Sequence, residues 1–154
     1  HGPGIEARLD SLFLWTDCIV SFDIPAIRKS KADPDSIYFR GLAYRMMWSL
    51  FWDIDKDLLS WNYGGVRGDY DQPTAWQLSL LKAYNQVEPL LHNRHILPDE
   101  AGVLYSAGKK QVLWTFRDLE LPLDAPKTVR DILAGAETRT SALKAEKHRV
   151  YVVG

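Results

Sequence analysis

Two carboxyls and one group of aromatic and planar polar side chains are the residues of this chain best suited to chemistry. Asp17 and Asp23 flank the apolar segment 18–22, and Trp61-Asn62-Tyr63 leads into a loop that carries Arg67 and Asp69. Sugars are held by aromatic faces and planar hydrogen-bonding groups, and glycosidic cleavage uses two carboxyls placed across the bond. Trp61, Asn62, Tyr63, Arg67 and Asp69 are therefore the candidate sugar contacts, and Asp17 and Asp23 the candidate catalytic carboxyls. The competing reading of the same residues is plainer: Trp61 and Tyr63 pack, while Asp69 and Asp71 serve as turn residues in the Gly-rich loop 64–71.

Other groupings carry less. Asp53, Asp55 and Asp57 alternate, but a calcium loop opening at Asp53 requires Gly at its sixth position and a carboxylate at its twelfth, where this chain has Leu58 and Gly64. A solvated helix-to-strand turn is expected there instead. Glu88, His92 and His95 could share one helical face, yet Pro89 interrupts the spacing and no HExxH pattern is present. Arg67-Gly68-Asp69 is a tripeptide whose Gly is explained by loop geometry. Cys18 lies in an apolar segment, as an inert core thiol does. No GxSxG, P-loop or GxGxxG occurs. Neither a metal nor a cofactor is expected.

The elements that must position these residues follow from patterning. At 154 residues, 46% hydrophobic, with six Trp, seven Tyr and five Phe, the chain can bury a core and is not disordered. A formal net charge of −1 offers phosphates no electrostatic attraction, which argues against a nucleic-acid partner. The most apolar run, 46–52, falls far short of the roughly 20 residues a membrane span requires. No signal segment opens the chain, which begins at His1 without an initiator Met, and no compartment is assigned.

Segment 18–22 reads as a buried strand. Asp33-Pro34-Asp35-Ser36 is a helix start, and the helix it opens is expected to run over 37–53, apolar on nearly all sides. A second buried strand is expected at 58–63. A second helix begins near Thr74, where Thr74 and Gln77 have capping-box spacing, and continues through Trp76, Leu80, Tyr84, Val87 and Leu91 until Pro89 kinks or restarts it. This alternation of strand and helix predicts a parallel α/β layer over 1–98. Over 99–154 the pattern changes. Segments 102–105 and 111–116 read as a hairpin turning at 107–109, with further strands at 129–133 and 149–153 punctuated by Pro122, Pro126 and Gly135. The expected fold is thus α/β followed by a small antiparallel β-sandwich or sheet.

This order resembles the C-terminal part of TIM-barrel glycoside hydrolases that carry an appended β-sandwich domain. Segment 38–45 followed by Trp61-Asn62-Tyr63 is similar to the last helix and strand of such barrels. The strands of 99–154, with the turn Asp131-Ile132-Leu133-Ala134-Gly135, are similar to the appended domain. The resemblance implies a partial (β/α) barrel-like layer, and a carbohydrate-active protein that contributes sugar contacts to a glycan-cleaving site. An oligosaccharide or polysaccharide would be its ligand and the remainder of the same polypeptide its partner. The alternative reading is a non-catalytic α+β binding or structural subunit that buries its Trp-rich helix against a protein partner.

Overall fold

The computed structural model describes residues 21–22, 33–48, 50–61 and 71–154. The chain divides into two compact units, His1–Leu78 and Ser79–Gly154.

In the first unit, strand β1 (Ser21–Phe22) precedes helix α1 (Pro34–Ala43), which leads to β2 (Met47–Trp48). β1 and β2 pair in parallel, Ser21 opposite Met47. Asp33 caps α1 by accepting the Asp35 backbone N–H at 3.1 Å, and Pro34 occupies the first turn, where no intrahelical donor is needed. The helix buries Ile37, Tyr38, Phe39, Leu42 and Ala43. It does not extend to residue 53. The Arg45 N–H bonds to the Leu42 carbonyl and the Met46 N–H to the Gly41 carbonyl, at 2.9 and 2.8 Å, with Arg45 left-handed at φ 62°. That is a Schellman stop, closed by an arginine rather than the usual glycine.

Beyond it, β3 (Phe51–Asp53) and β4 (Leu58–Ser60) form an antiparallel pair, Phe51 opposite Ser60 and Asp53 opposite Leu58. The expected parallel layer is therefore corrected. A parallel neighbour requires a crossover of a dozen or more residues, and the short turn 54–57 permits only a hairpin. The partial barrel-like layer is not found among the described residues; they form a sheet-rich α+β arrangement with one parallel pair.

Helix α2 (Ala75–Val87) opens with the capping box expected from sequence. The Gln77 N–H donates to Thr74 Oγ1 and the Thr74 N–H to Gln77 Oε1, both at 3.1 Å. It gives way to a 3₁₀ turn at Glu88–Leu90, where Pro89 ends α-helical bonding.

The second unit is built on a six-stranded antiparallel sheet of order β5-β6-β7-β10-β8-β9. Its strands are β5 (His95–Ile96), β6 (Gly102–Ala107), β7 (Lys110–Thr115), β8 (Leu119–Asp131), β9 (Glu137–Ala145) and β10 (Val150–Val153). The expected β6–β7 hairpin is present, Tyr105 opposite Val112, and turns at Gly108 with φ 62°. The expected strand at 129–133 proves to be the end of the much longer β8. Pro122 and Pro126 lie inside that strand instead of bounding it. They fall in the stretch where the β8–β9 register shifts, between Pro122 and Lys127, and β10 pairs only with Val129–Asp131, so neither proline denies a ladder bond on that side.

Opposed residues share a face, so Tyr105, Val112 and Val152 lie on one side of the sheet, and Leu104, Leu113 and Tyr151 on the other. The second side carries a core of Leu113, Val129, Leu143, Ala145, Tyr151 and Val153, against which Leu97, Leu104, Leu119, Leu121 and Leu123 pack. On the first side lies Trp114, with Tyr84 of α2 at a ring separation of 6.3 Å.

Candidate functional site

Of the seven residues the sequence singles out, Asp17, Asp23, Asn62, Tyr63, Arg67 and Asp69 lie outside the described residues. Trp61 lies within them, one residue past β4, and is 2% exposed. Its ring packs edge-to-face with the Tyr38 ring, centroids 5.3 Å apart at 66°. Its indole N–H donates to Gln77 Oε1 at 2.9 Å. The ring and its donor are thus both used inside the protein.

Gln77 is the residue that sequence reading missed. The capping box identified its place at the start of α2, but not the reach of its side chain. It is 0% exposed, and its Oε1 accepts from both Trp61 and the Thr74 N–H. Its Nε2 donates to Asp35 Oδ1 at 3.0 Å, and its backbone carbonyl accepts the Tyr38 hydroxyl at 3.3 Å. One neutral amide therefore ties together the start of α1, the end of β4 and the start of α2. Burial also pushes the Tyr38 phenol well above the usual tyrosine range, so it stays a neutral donor.

The described residues on either side of segment 62–70 bond to one another. The Trp61 N–H donates to the Asp71 carbonyl at 2.7 Å, and the Asp71 N–H donates to Ser60 Oγ at 3.1 Å. The Ser60 hydroxyl returns a bond to the Asp71 carbonyl at 3.3 Å. These bonds hold Ser60 and Trp61 against Asp71.

The open aromatic surface lies elsewhere. Trp52 on β3 is 63% exposed and Ile54, at the turn, 86%. The turn carries Asp53, Asp55 and Asp57, of which Asp55 and Asp57 are exposed. Asp53 Oδ1 accepts the Lys56 N–H at 3.2 Å, and Asp57 takes the left-handed φ of 49°. The helix-to-strand turn expected here is a strand-to-strand turn, because α1 has already ended. Sequence reading placed Trp52 on a helix and so gave no reason to single it out.

Glu88, His92 and His95 do not share a helical face. Glu88 opens the 3₁₀ turn, the His92 carbonyl accepts the Ser106 N–H at 2.8 Å, and His95 is on β5. No family model matches the chain, and no curated protein or solved structure matches it either.

Proposed function

We propose that the chain is a carbohydrate-binding module and that its sugar contact is the β3–β4 hairpin. The observation that carries this reading is Trp52, a ring 63% exposed on a hairpin whose turn carries the exposed Asp55 and Asp57. An aromatic face held on a short hairpin stacks against the C–H face of a pyranose, and flanking carboxylates accept its hydroxyls. The same reading extends to a C-terminal portion of a glycoside hydrolase, in which Asp17 or Asp23 would be this chain's candidate catalytic carboxyl. Binding is the part that the hairpin supports.

Calorimetric titration with soluble β- and α-linked oligosaccharides tests it. Saturable binding that weakens about tenfold or more in Trp52→Ala, equivalent to about 1.4 kcal/mol, is expected. Unchanged affinity in that variant, or no binding by any oligosaccharide, overturns it. A second reading, a protein-binding subunit, is favoured by Ile54, whose 86% exposed aliphatic side chain has no role against a sugar. Its mark is concentration-dependent sedimentation that Ile54→Ser abolishes.

A further inference from the structure

The second unit holds a cavity of about 510 Å³ on the core side of its sheet, at the end where β8 turns into β9. Its size falls within the range of small-molecule sites, roughly 300–1,000 Å³. Register explains the lining. Tyr151 lies opposite Asp131, Val129 opposite Thr138 and Lys127 opposite Thr140, so the cavity-lining residues among them share one face. Val129, Leu143 and Tyr151 belong to the core cluster, which makes the apolar floor a fixed one.

The carboxylate on that face, Asp131, is already satisfied. Its Oδ1 accepts the N–H groups of Leu133 and Ala134, each at 2.9 Å, and its Oδ2 is ion-paired with Arg149 Nε at 3.8 Å. Glu137 and Lys144 border the cavity from positions opposite Arg130 and Glu120, which alternate to the other face of the sheet, and their signs cancel. The hydroxyls are not equally engaged. That of Thr140 is spent on Ala142, donating to its carbonyl at 2.8 Å and accepting its N–H at 3.2 Å. Thr138 lines the cavity from an exposed position, and its hydroxyl has no hydrogen bond to any described residue.

A charged guest would leave water for an apolar floor with no free counter-charge, at a cost that a neutral guest avoids. We infer that this cavity binds a small uncharged molecule: a compact apolar body carrying one hydroxyl or carbonyl, with the body against Val129, Leu143 and Tyr151 and the polar group at Thr138. The site belongs to the other unit from Trp52 and stands whether or not the hairpin binds sugar.

The test is an amide-resolved NMR titration of the full chain with 2-phenylethanol, the cation 2-phenylethylammonium and the anion 3-phenylpropionate. Expected are saturable shifts centred on 129–143 and 151 with the alcohol, and affinity about tenfold lower for each of the two ions. This ranking is read on the parent chain and needs no variant. Thr138→Val keeps the shape of the side chain and removes its hydroxyl, so it should bind the alcohol about fivefold more weakly, the loss expected of one neutral hydrogen bond. Position 138 is exposed, and the fold should tolerate the change. Absence of shifts with the alcohol, shifts centred elsewhere, either ion binding as tightly as the alcohol, or full affinity in Thr138→Val overturns the inference.

Discussion

At the scale of single residues, the sharpest contrast is between two tryptophans, Trp61 buried and Trp52 open. Trp61→Phe should lose one indole hydrogen bond and about 1–2 kcal/mol, whereas Trp61→Ala should lose about 3–5 kcal/mol as a cavity opens beside Tyr38; urea denaturation of the two variants measures both. Gln77→Leu should cost about 3 kcal/mol, because the buried Trp61 indole N–H loses its acceptor and Thr74 and Asp35 lose partners at partly buried bonds. Trp52→Ala should stay within about 0.5 kcal/mol of the parent in the same experiment, since its ring is largely in water. The two roles were not separable from sequence. Both rings sit in apolar runs, Phe51-Trp52 and Leu58-Leu59-Ser60-Trp61, and exposure follows from which strand ends carry them inward. The sequence did show the Asp33 cap and the Thr74–Gln77 box, because capping depends on residues only two or three apart.

At the scale of elements, legibility follows the range of the interactions that decide an element's ends. The β6–β7 hairpin was readable because alternating residues and a Gly turn are local signals. The stop of α1 was not: Arg45 adopts a positive φ there without the glycine that normally marks a Schellman end. Without a glycine to mark the stop, residues 47–53 read as helix from sequence, and the expectation of a parallel layer depends on that reading. β9 was also missed. Its exposed stretch Glu137-Thr138-Arg139-Thr140 has too few apolar residues to show a buried face, and its place as an edge strand explains why. Two glycines allow element-level checks. A Cβ at Gly102 would collide with the backbone carbonyl of Trp114 across the β6–β7 ladder, and neither strand can move aside without losing pairs. Gly102→Ala should therefore fold poorly or lower the thermal midpoint by several degrees. Gly135, at φ 69° in the β8–β9 turn, meets nothing at its missing Cβ, so Gly135→Ala should cost only the conformational strain, about 1 kcal/mol.

At the scale of the whole molecule, each unit keeps a buried tyrosine neutral. Burial raises the Tyr38 phenol in the first unit and, as the largest cause, the Tyr151 phenol in the second. A phenol whose folded pKa lies above its unfolded value contributes stability that is complete below the unfolded value, about 10, and is lost as pH rises through the folded value. Stability should accordingly be level from neutral pH to about 9 and decline above about 10, with a shallower decline in Tyr38→Phe; denaturant midpoints measured across that range would show it. The base of the loop after Trp61 has a different consequence. Because Ser60, Trp61 and Asp71 bond to one another, the residues on the two sides of segment 62–70 are pinned together. Doubling the number of residues between 61 and 71 should cost only about 0.6 kcal/mol of closure entropy. Such a stem is a socket: lineages, or an engineer, can exchange the segment it holds for another of different length and keep the body that holds it.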